Sequence, residues 1–382
     1  MNIDKRIINA LLWTVYGDAL GFLKTNTNIE IEELKEFTYI YNNDLHMGKN
    51  RGQYSYITEL ILINIKSLID SSKTFEVNID YNRFFEELKL WFYYRHGKPG
   101  NLLKKLSDRK YYNSNFYWKD VRGYGISRVF PIAIANKNYN SLEREVYKNI
   151  IYLNRHPRVI LSGLLLSRTV YLLLEKNIFE KEEIIKELKD YLIHLQFNEL
   201  NRNISIKLPN DYRIQFEREK INYLLEIDKL KDEKDIKNLN WDARAILLYG
   251  LDILFRLENK EDLKLTRLNI EDLNEVLAIG YGLWGIINKK ELKKLDILKD
   301  GEFLKNMGDY LYRLRNFRVN RKVHKKSQNT IDLFQLNKGQ TAKHELLGPI
   351  KVLDRIEISF YIQILLNTKS GSYTLIQNKK RQ

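Results

Sequence analysis

Residues 4–21 read DKRIINALLWTVYGDALG, and the spacing of their apolar side chains decides the fold class. Apolar residues recur at i, i+3, i+4 and i+7, the stripe of an amphipathic helix. The spacing predicts a helix over Asp4–Tyr16, capped by Asp4 and ended by Gly17-Asp18-Ala19-Leu20-Gly21, where two glycines flank an acid as at an ordinary helix terminus. The same period returns in Tyr56–Ile69, Tyr81–Tyr94, Pro157–Leu174, Lys181–Leu195, Trp241–Leu257 and Ile270–Ile287. Asp80 and Ser141 stand where helix caps belong, and Pro157 suits a first helical turn. With five prolines in 382 residues, helices joined by modest loops account for most of the chain. Residues 42–53 and 111–124 are expected as surface loops bordering a cleft. Residues 204–216, ISIKLPNDYRIQF, alternate in the manner of a short hairpin.

Composition excludes several classes. Hydrophobic residues make up 44% and aromatics 12%, enough to build a buried core. Cysteine is absent, which removes disulfides, zinc–thiolate sites and thiol nucleophiles. The amino-terminal stretch carries an acid and no small-residue cleavage site, and no apolar run approaches the roughly 18 residues of a membrane span. The expectation is a cytoplasmic protein with no membrane partner.

Lysine and arginine number 64 against 49 aspartates and glutamates, a formal charge of +15. Such a surface attracts phosphates, nucleic acid or an acidic protein without selecting among them. An AT-rich coding sequence is an equally good source of the surplus. The sharpest basic run is Tyr312–Lys326, YRLRNFRVNRKVHKK, holding Arg313, Arg315, Arg318, Arg321, Lys322, Lys325 and Lys326 with no acid. If helical, it forms one cationic ridge suited to a phosphate backbone; a solvated face is the plainer reading. The change of composition there divides the chain into a helical domain, 1–311, and a basic C-terminal extension, 312–382. The tail 345–377 is apolar and β-branched enough to pack on the core as strands or a helix.

Five short segments, in order, carry a resemblance. Gly17-Asp18-Ala19-Leu20-Gly21 is similar to the GDALG signature that opens the ADP-ribosylglycohydrolase family. Gly52-Gln53-Tyr54-Ser55-Tyr56-Ile57-Thr58-Glu59 resembles that family's G-x-Y-T-D-D-T segment. Gly123-Tyr124-Gly125-Ile126-Ser127-Arg128 resembles its glycine-rich stretch leading to Arg-x-x-Pro. Arg155-His156-Pro157 is similar to its T-H-x-H-P segment, and Asp272-Leu273-Asn274-Glu275 to its D-T-D-T. Single motifs of this length match by chance, whereas five in order over roughly residues 10–290 are far more specific.

The resemblance implies an all-α fold, a compact multi-helix orthogonal bundle, here with a basic C-terminal extension. It implies removal of ADP-ribose from a macromolecule, two Mg ions, and a ligand cleft lined by Asp18, Ser55, Tyr56, Thr58, Gly123, Gly125, Arg128, His156 and Asn274. The carboxylate pair is replaced by Tyr56 and Ile57, and the D-x-D by Asp272 and Asn274. Paired dications need several carboxylate oxygens, so no cofactor is expected, and Asp272 is the one retained candidate ligand. Phe22-Leu23-Lys24-Thr25 supplies no counterpart to the family's glutamate after GDALG.

Three functions follow as expectations. The first is a catalytically degenerate relative that binds an ADP-ribose-like nucleotide or an ADP-ribosylated macromolecule through the former cleft. The second is a divergent hydrolase using Glu59, Asp272 or Glu275 as acid–base groups, with Mg if Glu59, Glu275, Asp272, Ser55 and Thr58 rebuild a one-ion site. The third is a nucleic-acid-binding defence or counter-defence protein using the basic run. Each residue also has a plain structural reading: Asp18 holding backbone amides at a helix end, Arg128 and His156 as buried hydrogen-bonders, and Asp272 near the first turn of its helix.

Overall fold

The computed structural model describes residues 2–26, 33–34, 51–108, 110–202, 204–231, 242–260, 263, 272–292, 294–324 and 331–379. In chain order the elements are α1 (Ile3–Asn26), α2 (Tyr56–Ser67), β1 (Leu68–Ser71), β2 (Glu76–Ile79), α3 (Tyr81–Tyr94), α4 (Asn101–Ser107), α5 (Asn115–Trp118), α6 (Phe130–Ala135), α7 (Tyr139–Leu153) and α8 (Pro157–Tyr171). They continue as α9 (Lys181–His194), α10 (Phe197–Leu200), α11 (Tyr212–Asp228), α12 (Ala243–Glu258), α13 (Leu273–Ile287), α14 (Gly301–Arg315), β3 (Thr341–His344), β4 (Gly348–Glu357), β5 (Tyr361–Thr368) and β6 (Gly371–Asn378).

The centre of the molecule is α1 packed along α13. Both helices are buried for most of their length, and they approach closely because small residues face each other. A Cβ on Gly21 would lie 2.4 Å from the Asn274 Cα, and one on Gly285 would lie 2.8 Å from the Asn9 carbonyl oxygen. Here α1 runs on to Asn26, so Gly17-Asp18-Ala19-Leu20-Gly21 sits inside the helix rather than ending it. The glycines serve helix contact, which outweighs their low helix propensity.

Most other helices fall where periodicity places them, as α3 does to the residue. Asp80 caps α3, accepting from the Asn82 and Arg83 amides at 3.1 and 3.2 Å. The cap of α7 is Asn138 rather than Ser141, whose amide donates to the Asn138 side chain at 3.1 Å. At the amino terminus Asp4 lies in the first turn of α1, one residue inside Ile3. Trp241, Ile270 and residues 42–50 fall outside the described residues.

Four further expectations need correction. The chain is mostly helical but not all-α: β3-β4-β5-β6 form an antiparallel sheet in that order, with a bulge between Val352 and Asp354. Residues 204–216 form no strand; 212–216 begin α11, where the apolar face of Tyr212 and Phe216 buries against the body. Pro157–Lys176 is long and apolar enough to cross a membrane by length and composition, an apolar run the sequence reading passed over, but it is a mostly buried core helix.

The basic run is the fourth. Helix α14 ends at Arg315, and Phe317 and Asn320 take left-handed backbone angles, φ 54° and 50°, so the seven cations do not share a helical ridge. Arg315 is buried, donating to the Ile134 carbonyl at 2.7 Å and pairing with Glu175. Arg321 turns inward to the Lys66 carbonyl at 2.5 Å. Arg313 pairs with Asp309 at 3.0 Å, Arg318 and Lys322 are exposed, and Lys325 and Lys326 lie outside the described residues.

The C-terminal sheet packs on the helices. Its inner face buries Ile350, Val352, Ile364, Leu366 and Leu375. Tyr373 on β6 meets the Tyr94 ring edge-on at 4.9 Å and accepts from the Lys66 ammonium at 3.2 Å.

Gly21→Ala tests the central contact. Backbone faces the added methyl, so the helices must part, and net destabilisation of about 1–3 kcal/mol is expected despite alanine's better helix propensity. Urea unfolding followed by circular dichroism measures it; unchanged stability would show that α1 and α13 do not touch here.

Candidate functional site

Four of the five motif segments meet at one place, built around the Asp18 carboxylate. Asp18 is 0% exposed and projects from mid-α1 at the amino terminus of α2. Its Oδ2 accepts from the Ser55 amide (3.0 Å), the Thr58 amide (3.0 Å) and the Thr58 hydroxyl (2.7 Å), and its Oδ1 from the Ser55 hydroxyl (2.6 Å). The Asn274 amide reaches the same Oδ1 at 3.5 Å and the Ser55 Oγ at 2.8 Å. Ser55 itself caps α2 by accepting from the Ile57 amide at 3.1 Å. An anionic group at a helix amino terminus meets unpaired amides and the positive end of the dipole. Asp18 is therefore the helix-end holder of its plain reading, but for α2 and not for its own helix.

Glu275, one residue on from Asn274, binds the glycine-rich loop. Its carboxylate accepts from the Gly125 amide, the Ser127 amide and the Ser127 hydroxyl at 3.1, 3.1 and 3.2 Å. Gly125 has φ +78° and a Cβ there would meet Leu60 at 2.6 Å, so the turn that presents its amide requires glycine. Gly123 adjoins it, its amide 3.4 Å from the Asp120 carboxylate. Burial pushes the Asp18 carboxyl up to about 6 and the Glu275 carboxyl up to about 7, against the hydrogen bonds that pull both down.

The remaining candidates are dispersed. Glu59 faces away from Asp18, accepting from the Trp91 indole at 2.7 Å and the His96 amide at 3.1 Å, with the His96 Nδ1 at 2.6 Å. Asp272, in a left-handed conformation before α13, is paired with Arg122, which lies over the Tyr124 ring at 5.0 Å. Arg128 is wholly buried and spends its guanidinium on the Gly125 carbonyl (2.8 Å) and the Asn149 side chain (3.2 Å). His156 caps α8 through its Nδ1, accepting from the Arg158 amide at 3.1 Å; burial, then the Arg158 charge, lower it to about 4. Both take structural positions. The His156 segment still braces the site at one remove, since the Asn154 side chain donates to the Asp120 carbonyl at 2.9 Å.

Tyr56 is the exception among these satisfied groups. Its hydroxyl is buried with no hydrogen-bond partner among the described residues. Burial, then the Asp272 and Glu275 charges, push its phenol well above the ordinary value.

These residues do not fit a pair of Mg ions. A hard dication needs carboxylate oxygens converging at about 2.0–2.1 Å in an octahedron. Here the Asp18, Glu275 and Glu59 oxygens take protein donors, and Asp272 takes a guanidinium. The one-ion set of Glu59, Glu275, Asp272, Ser55 and Thr58 is not brought together, and among the described residues no three His, Cys, Asp or Glu side chains gather as a metal site. Arg122, Trp91 and His96 escaped the sequence reading. The one usable signal was Arg122 beside Gly123, a cation available to a carboxylate such as Asp272.

No family model matches the chain. An uncharacterized protein of Rickettsia typhi is 27% identical over 280 residues, covering 67% of this chain and 28% of that protein. The chain thus spans little more than a quarter of that relative's length. Among solved structures it is similar to a chain of an ADP-ribosylglycohydrolase-related protein complex, with a TM-score of 0.47 and 14% identity, covering 82% of this chain and 99% of that one. That likeness assigns no residue and no activity.

The raised carboxyls have a consequence for stability. Asp18 and Glu275 lie above ordinary values of 3.8 and 4.5, so the folded state keeps protons that the unfolded chain releases. Their contribution is full below pH about 4 and is lost as pH rises through about 6 and about 7. Unfolding free energy measured in urea from pH 4.5 to 7.5 should fall by an amount that Asp18→Asn and Glu275→Gln each reduce, by about 2–3 kcal/mol at most. An identical pH profile in both variants would show that neither group titrates in this range.

Proposed function

We propose that the protein is a catalytically degenerate ADP-ribosylglycohydrolase-like scaffold that acts as a binding or regulatory protein. One observation carries the reading: the carboxylates near the motif residues are held by protein donors, and the Tyr56 hydroxyl is buried with no partner among the described residues. Hydrolysis needs an acid or base facing the scissile bond, with water in reach. Asp18 and Glu275 are instead sealed, 0% and 1% exposed. On this reading Tyr56 fills the volume of the ions and Arg122 supplies the positive charge that Asp272 requires. The convergence of four motif segments supports a retained framework. A framework without its ions can still bind an ADP-ribose-like nucleotide or an ADP-ribosylated macromolecule. The exposed Arg318 and Lys322, with the chain's positive charge, favour an acidic partner, protein or nucleic acid, in a cytoplasmic setting.

A second reading rests on Glu275. A carboxyl pushed up to about 7 is poised for proton transfer near neutrality, which suits metal-free hydrolysis of an ADP-ribosyl bond. Its sealed position weighs against this.

The test uses a mono-ADP-ribosylated protein substrate with Mg or with chelator. The expected result is no release of ADP-ribose in either case, and no heat on calorimetric titration with Mg. Release that needs Mg and disappears in Asp272→Ala overturns the proposal. Release that survives chelation but is lost in Glu275→Gln selects the second reading.

A further inference from the structure

A cavity of about 640 Å³ lies between α3, the end of α4 and the C-terminal sheet, away from the Asp18 site. Its size is that of pockets which enclose small organic ligands. Phe85, Phe92 and Tyr93 line it from α3, and Phe334 lines it from the segment before the sheet. Tyr93 and Phe334 meet edge-to-face at 5.1 Å, so the aromatic wall is fixed by packing across two parts of the fold.

The charges around this cavity are already engaged. Lys89 is paired with Glu86 at 3.1 Å, and the Asp332 carboxylate caps a turn by accepting from the Phe334 amide at 3.0 Å. Glu345 faces the His324 ring nitrogen at 3.0 Å. Each acid already holds a protein donor, and the lining carries one lysine against three acids, so an anionic ligand gains no net attraction here.

Three neutral polar groups are left over. The Tyr93 hydroxyl and the Gln377 amide bond no other protein group among the described residues, yet both residues line the cavity. His344 accepts from the Leu346 and Leu347 amides through Nδ1, at 3.2 and 3.3 Å. That bond assigns the proton of its neutral ring to Nε2, leaving a donor free. Burial also lowers its pKa, which favours the neutral form. Gln377 offers a donor and an acceptor side by side, the complement of an edge carrying the same pair.

We infer that this cavity is a binding site for an uncharged planar heteroaromatic ligand of nucleoside size, packed against the aromatic wall, with Gln377, Tyr93 and His344 as the polar groups available to it. Flat rings suit the aromatic wall, and an edge with adjacent donor and acceptor suits the amide. The site is independent of the reading proposed above, since none of its residues touches the Asp18 cluster.

The test is calorimetric titration of the full chain with adenosine, guanosine, cytidine and uridine, and with adenosine 5′-monophosphate as a charged comparator. At least one nucleoside should bind, and Gln377→Leu should weaken it by about tenfold, the worth of one good hydrogen bond. Tyr93→Phe removes a single hydroxyl, so it keeps the test valid if the first variant does not fold, and it should weaken binding severalfold. The monophosphate should bind no tighter than adenosine. The inference is overturned if none of the nucleosides binds at millimolar concentration, if folded Gln377→Leu and Tyr93→Phe bind as the parent does, or if the added phosphate strengthens binding.

Discussion

A carboxylate in the middle of a buried helix has no water to solvate it, and it is tolerated when the fold brings donors to it. Asp18 sets that condition for this molecule. Its oxygens take the first amides and hydroxyls of α2, and the Asn274 amide of α13 completes the set. Three helices distant in sequence are therefore tied through one residue, and Gly17 and Gly21 are needed beside it so that α13 can come close enough. Glu275 repeats the pattern one residue later, binding the turn at Gly125 to α13. The two acids turn motif residues that resemble a metal site into cross-links.

Protein donors thus satisfy these carboxylates without an ion. Metal ions and N–H or O–H donors satisfy the same lone pairs, so a carboxylate released from one can be stabilised by the other. Arg122 does this for Asp272, bringing a fixed positive charge where the resemblance implies a dication. Tyr56 is the costly member, a buried hydroxyl with no partner among the described residues. Its ring is packed in the hydrophobic core, and that burial offsets part of the cost.

The helices were legible because burial on one face writes itself into spacing, and α3 and α9 emerge within a residue of their expected bounds. The convergence of Asp18, Ser55, Thr58, Asn274 and Glu275 was legible only through the order of the motifs, since nothing local links residues so far apart. Illegible were the partners. Glu59 looks like a ligand in sequence but answers to Trp91 and His96, which come from a different helix and its exit loop. The second part of the hairpin expected at 204–216 went to α11, where period-2 alternation over a few residues overlaps the start of an amphipathic helix. The cationic ridge dissolved for a similar reason. Arginine is suited to reaching backbone carbonyls and carboxylates inside a fold, and Arg315 and Arg321 do so, as do Arg6 and Arg158 elsewhere. Part of the basic surplus is thus internal mortar rather than surface field.

Helix α2 shows how the two parts of the chain come to be joined. Its amino-terminal amides are met by the Asp18 carboxylate, and near its other end the Lys66 carbonyl is met by the Arg321 guanidinium. Both contacts place charge where the helix dipole favours it. The helix is thereby held at one end by the motif site and at the other by the segment leading to the C-terminal sheet, which Tyr373 fastens to Lys66 itself. A short rod with complementary charge at each end resists sliding along its axis, because any shift lengthens bonds at one end or the other. The sheet is thus positioned relative to the Asp18 cluster by polar contacts along a single helix as well as by the apolar face it buries.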